Sequence, residues 1–294
     1  MKYDFTTIIN RQGKDAMAVD APGKFPSFPL PEDGFDFIPM WVADMNFATA
    51  PTVQSSIAER LTHPLYGYFI TRDEYYQSII NWHETRHQVT GLRKECIGYE
   101  NGVLGGLLSA LNAFASPGDS VLVHSPTYIG FTGSIGGAGY KIVHSELKRD
   151  EEGIWRMDYK DMDEKIKKHK IHVAVFCNPH NPTGRVWTLE ELEKAMKVYQ
   201  DNDCVVISDE IWSDIILNGN HHIPLQSISE DARKRTIALY APSKTFNLAG
   251  LIGSYHIIFD SYLRDRVRAC SSKSHYNSMN VLSMYALMGA YKPE

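Results

Sequence analysis

The 294-residue chain has no long apolar run, no large net charge, no cysteine framework and no internal repeats or low-complexity tract. Its longest greasy stretch, residues 103–115, is too short to span a bilayer and contains Ser109 and Asn112. The start, M-K-Y-D-F-T-T, lacks an apolar signal core, so a cytoplasmic location is expected. Cys96, Cys177, Cys204 and Cys270 are widely spaced and mostly sit inside or beside apolar runs. That pattern excludes a disulfide scaffold and shows no metal or redox spacing; it fits reduced core thiols. A formal net charge of -5 without long basic runs gives no electrostatic case for nucleic acid or an anionic membrane. The densest basic cluster, K-I-K-K-H-K at Lys165–Lys170, reads as a solvated helix end. With 43% hydrophobic residues the chain can bury a large core, which suits a soluble enzyme with one big domain and a smaller portion.

Residues 1–50 are poorly periodic and broken by Pro22, Pro26, Pro29 and Pro31, so an arm lying across other structure is expected. Pro51 suits a first helical turn, with Val53, Ile57 and Leu61 as its stripe. After a break at His63–Tyr68, a long helix begins near Thr71, and a second, apolar helix runs from Asn101-Gly102 to about Ala115. A helix from about Tyr128, a strand near Ile142 and an amphipathic segment over 158–168 follow. The capping box Thr188-x-x-Glu191 opens a helix with Leu189, Leu192, Met196 and Tyr199 on one face. From about Leu263 the pattern reads as helical to the end. Strands alternating with helices predict an α/β fold with a doubly wound, mostly parallel sheet.

Four short apolar runs carry the functional signal, because each ends in polar residues. Val121–Val123 runs into H-S-P-T-Y at His124–Tyr128, and Val173–Cys177 runs into N-P-H-N-P-T-G-R at Asn178–Arg185. Val205–Ser208 runs into Asp209-Glu210, and Ile237–Tyr240 into A-P-S-K with Lys244. Parallel strands would place these ends on one edge of the sheet, where open α/β sheets bind ligands. Tyr128, Asn181, Asp209 and Lys244 then converge. An aromatic face, an amide, a carboxylate and a desolvated, nucleophilic amine are the set that pyridoxal phosphate (PLP) requires. The glycine-rich helix start at Gly102 adds free amides, which suit a phosphate.

The order Y…NPxNPTG…DE…SK resembles the fold type I PLP enzymes of the class I/II aminotransferase superfamily. More narrowly, F-C-N-P-H-N-P-T-G-R-V-W-T, I-S-D-E-I-W-S-D, A-P-S-K-T-F-N-L-A-G-L and W-V-A-D-M-N-F-A-T-A-P resemble its cystathionine β-lyase (cysteine C–S lyase) branch. The resemblance implies a PLP-dependent transferase-like fold: an N-terminal arm with part of a small domain (1–50), a large PLP-binding domain (51–285), and an incomplete C-terminal small domain beginning at 286–294. It implies that Lys244 is the Schiff-base lysine and that Asp209 pairs with the pyridinium nitrogen. Asn181 would donate to the phenolic oxygen, Tyr128 would stack on the ring, and Val103, Leu104 and Ser243 would hold the phosphate. It further implies a homodimer in which Tyr68 reaches the phosphate of the neighbouring subunit.

Two positions depart from the aminotransferase pattern. Trp212 stands where many relatives use tyrosine to bond the phenolic oxygen, and Ile252 where many place a phosphate-binding arginine. Both departures are familiar in the C–S lyase branch and point to β-elimination on cystathionine or a cysteine conjugate, giving thiol, pyruvate and ammonia. An aminotransferase and a non-catalytic PLP-fold protein are the alternatives. The arginine for the substrate carboxylate is expected beyond residue 294; full turnover without it would point to a cation within the chain, such as Arg185. His83-Glu84-Thr85-Arg86-His87 matches the zinc-protease pattern H-E-x-x-H, but without an evident third ligand it is read as polar positions on a surface helix, and no metal is expected.

Overall fold

A computed structural model describes residues 3–26, 28–273 and 278–292. In chain order its helices are α1 Met17–Asp20, α2 Pro51–Leu61, α3 Asp73–His87, α4 Val103–Phe114 and α5 Ile129–Gly137, then α6 Tyr159–His169, α7 Leu189–Asp201, α8 Glu230–Arg235, α9 Ser261–Ser271 and α10 Val281–Ala290. The strands are β1 Ile97–Glu100, β2 Ser120–Ser125, β3 Lys141–Glu146, β4 Lys148–Arg149, β5 Trp155–Arg156, β6 Val173–Cys177, β7 Val205–Asp209, β8 Thr236–Tyr240 and β9 Ser254–Ile257.

Seven strands form one sheet in the order β1-β9-β8-β7-β6-β2-β3. The pairs from β3 through β8 are parallel, and β9 runs antiparallel to both β8 and β1. This is the doubly wound, mostly parallel α/β architecture expected. Beta-strands alternate their side chains, so each central strand feeds two cores. Val121, Val123, Val175, Ile207 and Leu239 pack against α4, α5 and α9. Leu122, Ala174, Phe176 and Val206 pack on the other face against Met162, Leu192 and Met196 of α6 and α7. Burial on both faces explains why these strands read as unbroken apolar runs. Leu122 is fully buried, and its replacement by alanine would cost about 2–5 kcal/mol.

The capping box is present as the sequence predicts. Glu191 N–H donates to Thr188 Oγ1 at 3.3 Å, and Thr188 N–H returns a bond to Glu191 Oε2 at 2.9 Å. Two strands of the seven-stranded sheet are not evident in the sequence because they are short and interrupted. Strand β1 is I-G-Y-E and β9 is S-Y-H-I. They are stapled by a buried pair, with Glu100 Oε1 2.7 Å from His256 Nδ1 and Ser109 Oγ donating to Glu100 Oε2 at 3.0 Å. A methyl group on Gly98 would lie 2.4 Å from the His256 ring, so glycine is what lets that ring cross the strand.

The run from Leu263 onward is not one helix. Helix α9 ends at Ser271 and α10 begins at Val281, with Asn280 capping Ser283 N–H at 2.9 Å. Leu287 and Ala290 of α10 share a core with Val53 of α2 and Ile79 of α3. Of the expected third segment, Pro293 and Glu294 lie outside the described residues. No helix among the described residues is long and apolar enough to cross a membrane.

Candidate active site

The chain runs from β2 outward to β3, then returns to lay β6 on the other side of β2. That reversal leaves a crevice at the carboxyl ends of β2 and β6, where open α/β sheets receive ligands. Tyr128 follows β2 and Asn181 follows β6, so both flank the crevice. Asp209 ends β7, and Lys244 lies just past β8. Four of the sequence-predicted residues thus share one edge in the order that the sheet dictates.

Lys244 is half-buried, and its Nζ donates to the Ala43 carbonyl at 3.3 Å and lies 5.6 Å from the centre of the Trp212 ring. Burial holds the amine below its ordinary pKa, while Asp209 and Asp44 pull the other way. The burial favours the neutral, nucleophilic form of the amine. Asp209 is 6% exposed and accepts one backbone bond, from Ile211 N–H at 3.0 Å. Burial pushes its carboxyl up to about 7, against that bond and the nearby Lys244. A carboxylate so desolvated favours a cationic N–H partner, which a pyridinium supplies.

Tyr128 is the N-cap residue of α5 and keeps its ring partly exposed, edge-on to Phe131 at 5.5 Å. A methyl group on Gly130 would sit 2.3 Å from Tyr128 Cε1 and 3.0 Å from Leu104 Cδ1. The glycine therefore lets the ring and the start of α4 close on each other. Helix α4 begins after Gly102 at φ 81°, a left-handed conformation that suits glycine, and no side chain caps it. The Val103 and Leu104 amides are thus in the uncapped first turn. Asn181 is placed by Cys177, whose Sγ receives the Asn181 N–H at 3.4 Å. Ser243 is half-buried beside the lysine, and its carbonyl accepts Leu248 N–H at 3.0 Å. Ile252 adopts φ 44°, unusual for a β-branched residue, and its carbonyl accepts Tyr99 Oη–H at 2.9 Å.

Tyr68 does not join this cluster. It stands fully exposed between α2 and α3, lining a surface groove with Arg60, Arg72 and Tyr285. Arg185 is committed elsewhere, paired through Nη2 with Glu191 and stacked 5.0 Å from the Trp187 ring centre. Glu191 also holds Arg156 at 2.9 Å, so Arg185 braces the 178–185 loop and is not a free cation for a substrate. A cleft of about 320 Å³ opens between that loop and the segment after β7, lined by Asn181, Pro182, Trp212, Leu217 and Asn218.

The H-E-x-x-H histidines correct the sequence reading, because they do not lie on a surface. His83 is fully buried and shares a 2.9 Å bond with Tyr255 Oη, while His87 Nε2 lies 2.9 Å from Asp214 Oδ1. Thr245, next to Lys244, donates to the other oxygen of Asp214 at 2.9 Å. His222 Nε2 meets Glu210 Oε2 at 2.9 Å, and Tyr240 Oη donates to the same oxygen at 2.6 Å. Burial would raise the Glu210 pKa, yet the bond and charge of His222 with the other donors hold it below its ordinary value. These buried pairs brace the lysine loop and the end of β7 from behind. No group of His, Cys, Asp and Glu among the described residues is arranged to hold a metal ion. Glu210, Asp214 and the 43–46 segment stand in the sequence only as parts of the family motifs, and a charge inside an apolar run, as in W-V-A-D-M, is the signal of their buried partners.

The residues present fit PLP: an amine of lowered proton affinity, a desolvated carboxylate near it, an uncapped helix start and an aromatic ring held over glycine. The family described as aminotransferase class I and II matches residues 45–290. Cystathionine beta-lyase PatB of Bacillus subtilis (strain 168) is 34% identical over 256 residues, covering 87% of this chain and 66% of that protein. The solved structure of cystalysin from Treponema denticola, which contains pyridoxal 5'-phosphate, superposes with a TM-score of 0.91 at 32% identity, over 99% of this chain and 73% of that one. The PLP-bound C-S lyase from Staphylococcus hominis gives a TM-score of 0.87 at 33% identity, over 99% and 71%. The chain spans about two thirds of PatB's length. The chain belongs to the class I and II aminotransferase family of fold type I PLP enzymes, in its cystathionine β-lyase branch.

Proposed function

We propose that this chain is a PLP-dependent carbon–sulfur β-lyase of amino-acid metabolism, which converts cystathionine or a cysteine S-conjugate and water to a thiol, pyruvate and ammonia. The observation that carries this reading is the half-buried Lys244 amine beside the desolvated Asp209 carboxylate, in a chain similar to named C–S lyases. In this reading Lys244 binds the cofactor and Asp209 holds a proton on the ring nitrogen. Asn181 and the Trp212 indole N–H serve the phenolic oxygen, and Tyr128 lies against the ring. The Val103 and Leu104 amides and Ser243 take the phosphate, joined by Tyr68 of the partner subunit.

Bound there, the cofactor supplies an electron sink for the pair left on Cα. Freed by the incoming amino acid, Lys244 removes the Cα proton and holds it on Nζ. Burial lowers the proton affinity of the amine and so favours the neutral form that this transfer needs. When the β carbon carries sulfur, the Cβ–S bond breaks with its electron pair leaving on the thiolate. Lys244 is then placed to return a proton.

The exposed side chains of the first seventy residues support a homodimer. Phe35, Ile38, Met40, Leu65, Tyr68 and Ile70 are each more than two-thirds exposed, and a second copy would cover them. The buried free thiols of Cys96, Cys177 and Cys204 support a reducing, cytoplasmic setting. We assign residues 51–285 to the cofactor-binding domain because all seven strands of the main sheet and the residues proposed for the ring lie within them.

Incubation with cystathionine, PLP and no 2-oxo acid tests the activity. Equimolar pyruvate and ammonia are expected from wild type and none from Lys244→Ala. Turnover that needs a 2-oxo acid would make the protein an aminotransferase, and PLP binding with neither reaction would make it a non-catalytic relative.

A further inference from the structure

The proposed mechanism uses Asp209, but a second carboxylate faces Lys244 from the N-terminal arm. Residues 43–49 run along the lysine loop as a strap. Ala43 takes the amine at 3.3 Å, and Met45 exchanges two bonds with the Asn247 side chain, at 3.2 and 3.1 Å. Thr49 Oγ1 donates to the Phe246 carbonyl at 2.8 Å. Between the first two anchors, Asp44 is gripped by Arg11 through both oxygens, with Nη1 donating to Oδ1 at 3.0 Å and Nη2 to Oδ2. The same Nη1 reaches Asn46 Oδ1 at 3.1 Å. The two side chains are 18% and 20% exposed, so the pair is largely out of water, where a charge acts strongly on its neighbours.

We propose that Arg11 and Asp44 form a positioning pair for Lys244, fastening the strap over the amine and cancelling the strap's own charge beside it. The groups that act on the amine are Asp209 from the end of β7, Asp44 from the arm and the neutral Trp212 ring, and Arg11 reaches it through its grip on Asp44. Asp20 lies behind Arg11. Glu210 and Asp214 face the sheet end and Thr245 instead, holding donors of their own. Removing one member of the pair therefore uncovers a charge of known sign. A bare Asp44 stabilises the protonated nitrogen, and a bare Arg11 destabilises it. A pair that merely braced the fold would show no such opposition.

The cofactor arm of the test rests on the proposed PLP reading, and the labelling arm does not. In the PLP-loaded chain, the visible absorbance is titrated with pH. Arg11→Met should raise the midpoint by roughly one pH unit, Asp44→Asn should lower it by about as much, and the double variant should return close to wild type. Arg11→Gln, which also removes the charge, stands in if Arg11→Met fails to fold, and Arg11→Lys, which keeps it, should stay near wild type. In the full chain without PLP, trace labelling of Lys244 by acetic anhydride across the same pH range, read by mass spectrometry, should show the same signs. Absence of a visible band with opposed shifts in labelling would defeat the PLP reading and leave the pair's role standing. Shifts of one sign, or none, in both single variants overturn the inference.

Discussion

Asp209→Asn should make the cofactor-free protein more stable at alkaline pH and remove the turnover of the PLP-loaded protein. The carboxyl, 6% exposed with one backbone donor, titrates at about 7 where an ordinary one titrates at 3.8. Its folded-state value lies above the unfolded one, so its contribution to stability is fully present below about pH 4. That contribution is lost as pH rises through about 7. Each unit is worth about 1.4 kcal/mol, so this group alone should cost the folded state roughly 2–3 kcal/mol between pH 5 and pH 8. Asparagine stays neutral, and its side-chain oxygen can keep the Ile211 bond. Urea unfolding of cofactor-free wild type and Asp209→Asn, followed by circular dichroism at pH 5 and pH 8, reads the difference. The variant should gain on wild type by that margin at the higher pH. Parallel pH profiles would show that the carboxylate is not desolvated, and the argument for a cationic ring partner would fall with it. Saturating PLP should remove the wild-type deficit, because the ring nitrogen then pairs with the carboxylate.

Other positions give independent checks. Gly130→Ala puts a methyl group 2.3 Å from Tyr128 Cε1 and should displace the ring, weakening PLP affinity about three- to tenfold in equilibrium titration with a near-normal melting curve. Tyr68→Phe mixed with Lys244→Ala should recover activity toward a quarter of wild type if the dimer shares its sites; no recovery would mean that Tyr68 does not serve a partner. Glu210→Gln leaves buried donors from His222 and Tyr240 poorly matched and should cost about 2–4 kcal/mol in urea unfolding, whereas an unchanged midpoint would show the network to be dispensable.

The central parallel strands β2, β6, β7 and β8 were legible because burial on both faces writes them as short unbroken apolar runs, and the residues just past them supplied Tyr128, Asn181, Asp209 and Lys244. The edge strands were not, since I-G-Y-E and S-Y-H-I are held by the Glu100–His256 pair and a glycine rather than by an apolar run. His83 and His87 were misread for a related reason. Polarity in a sequence suggests solvent, but these rings are buried against Tyr255 and Asp214, partners distant in the chain. The pairing of Arg185 was not legible either, because its partner Glu191 was already accounted for by the capping box. Arg11 and Asp44 meet across 33 residues of irregular arm, and no local periodicity announces such a pair.

The most direct test of the account is where the cofactor becomes attached. Borohydride reduction of the PLP-loaded protein, followed by peptide mass spectrometry, should fix the cofactor on the peptide containing Lys244, and Lys244→Ala should carry none. Cofactor fixed on another lysine in wild type, or equal labelling of Lys244→Ala, would contradict it.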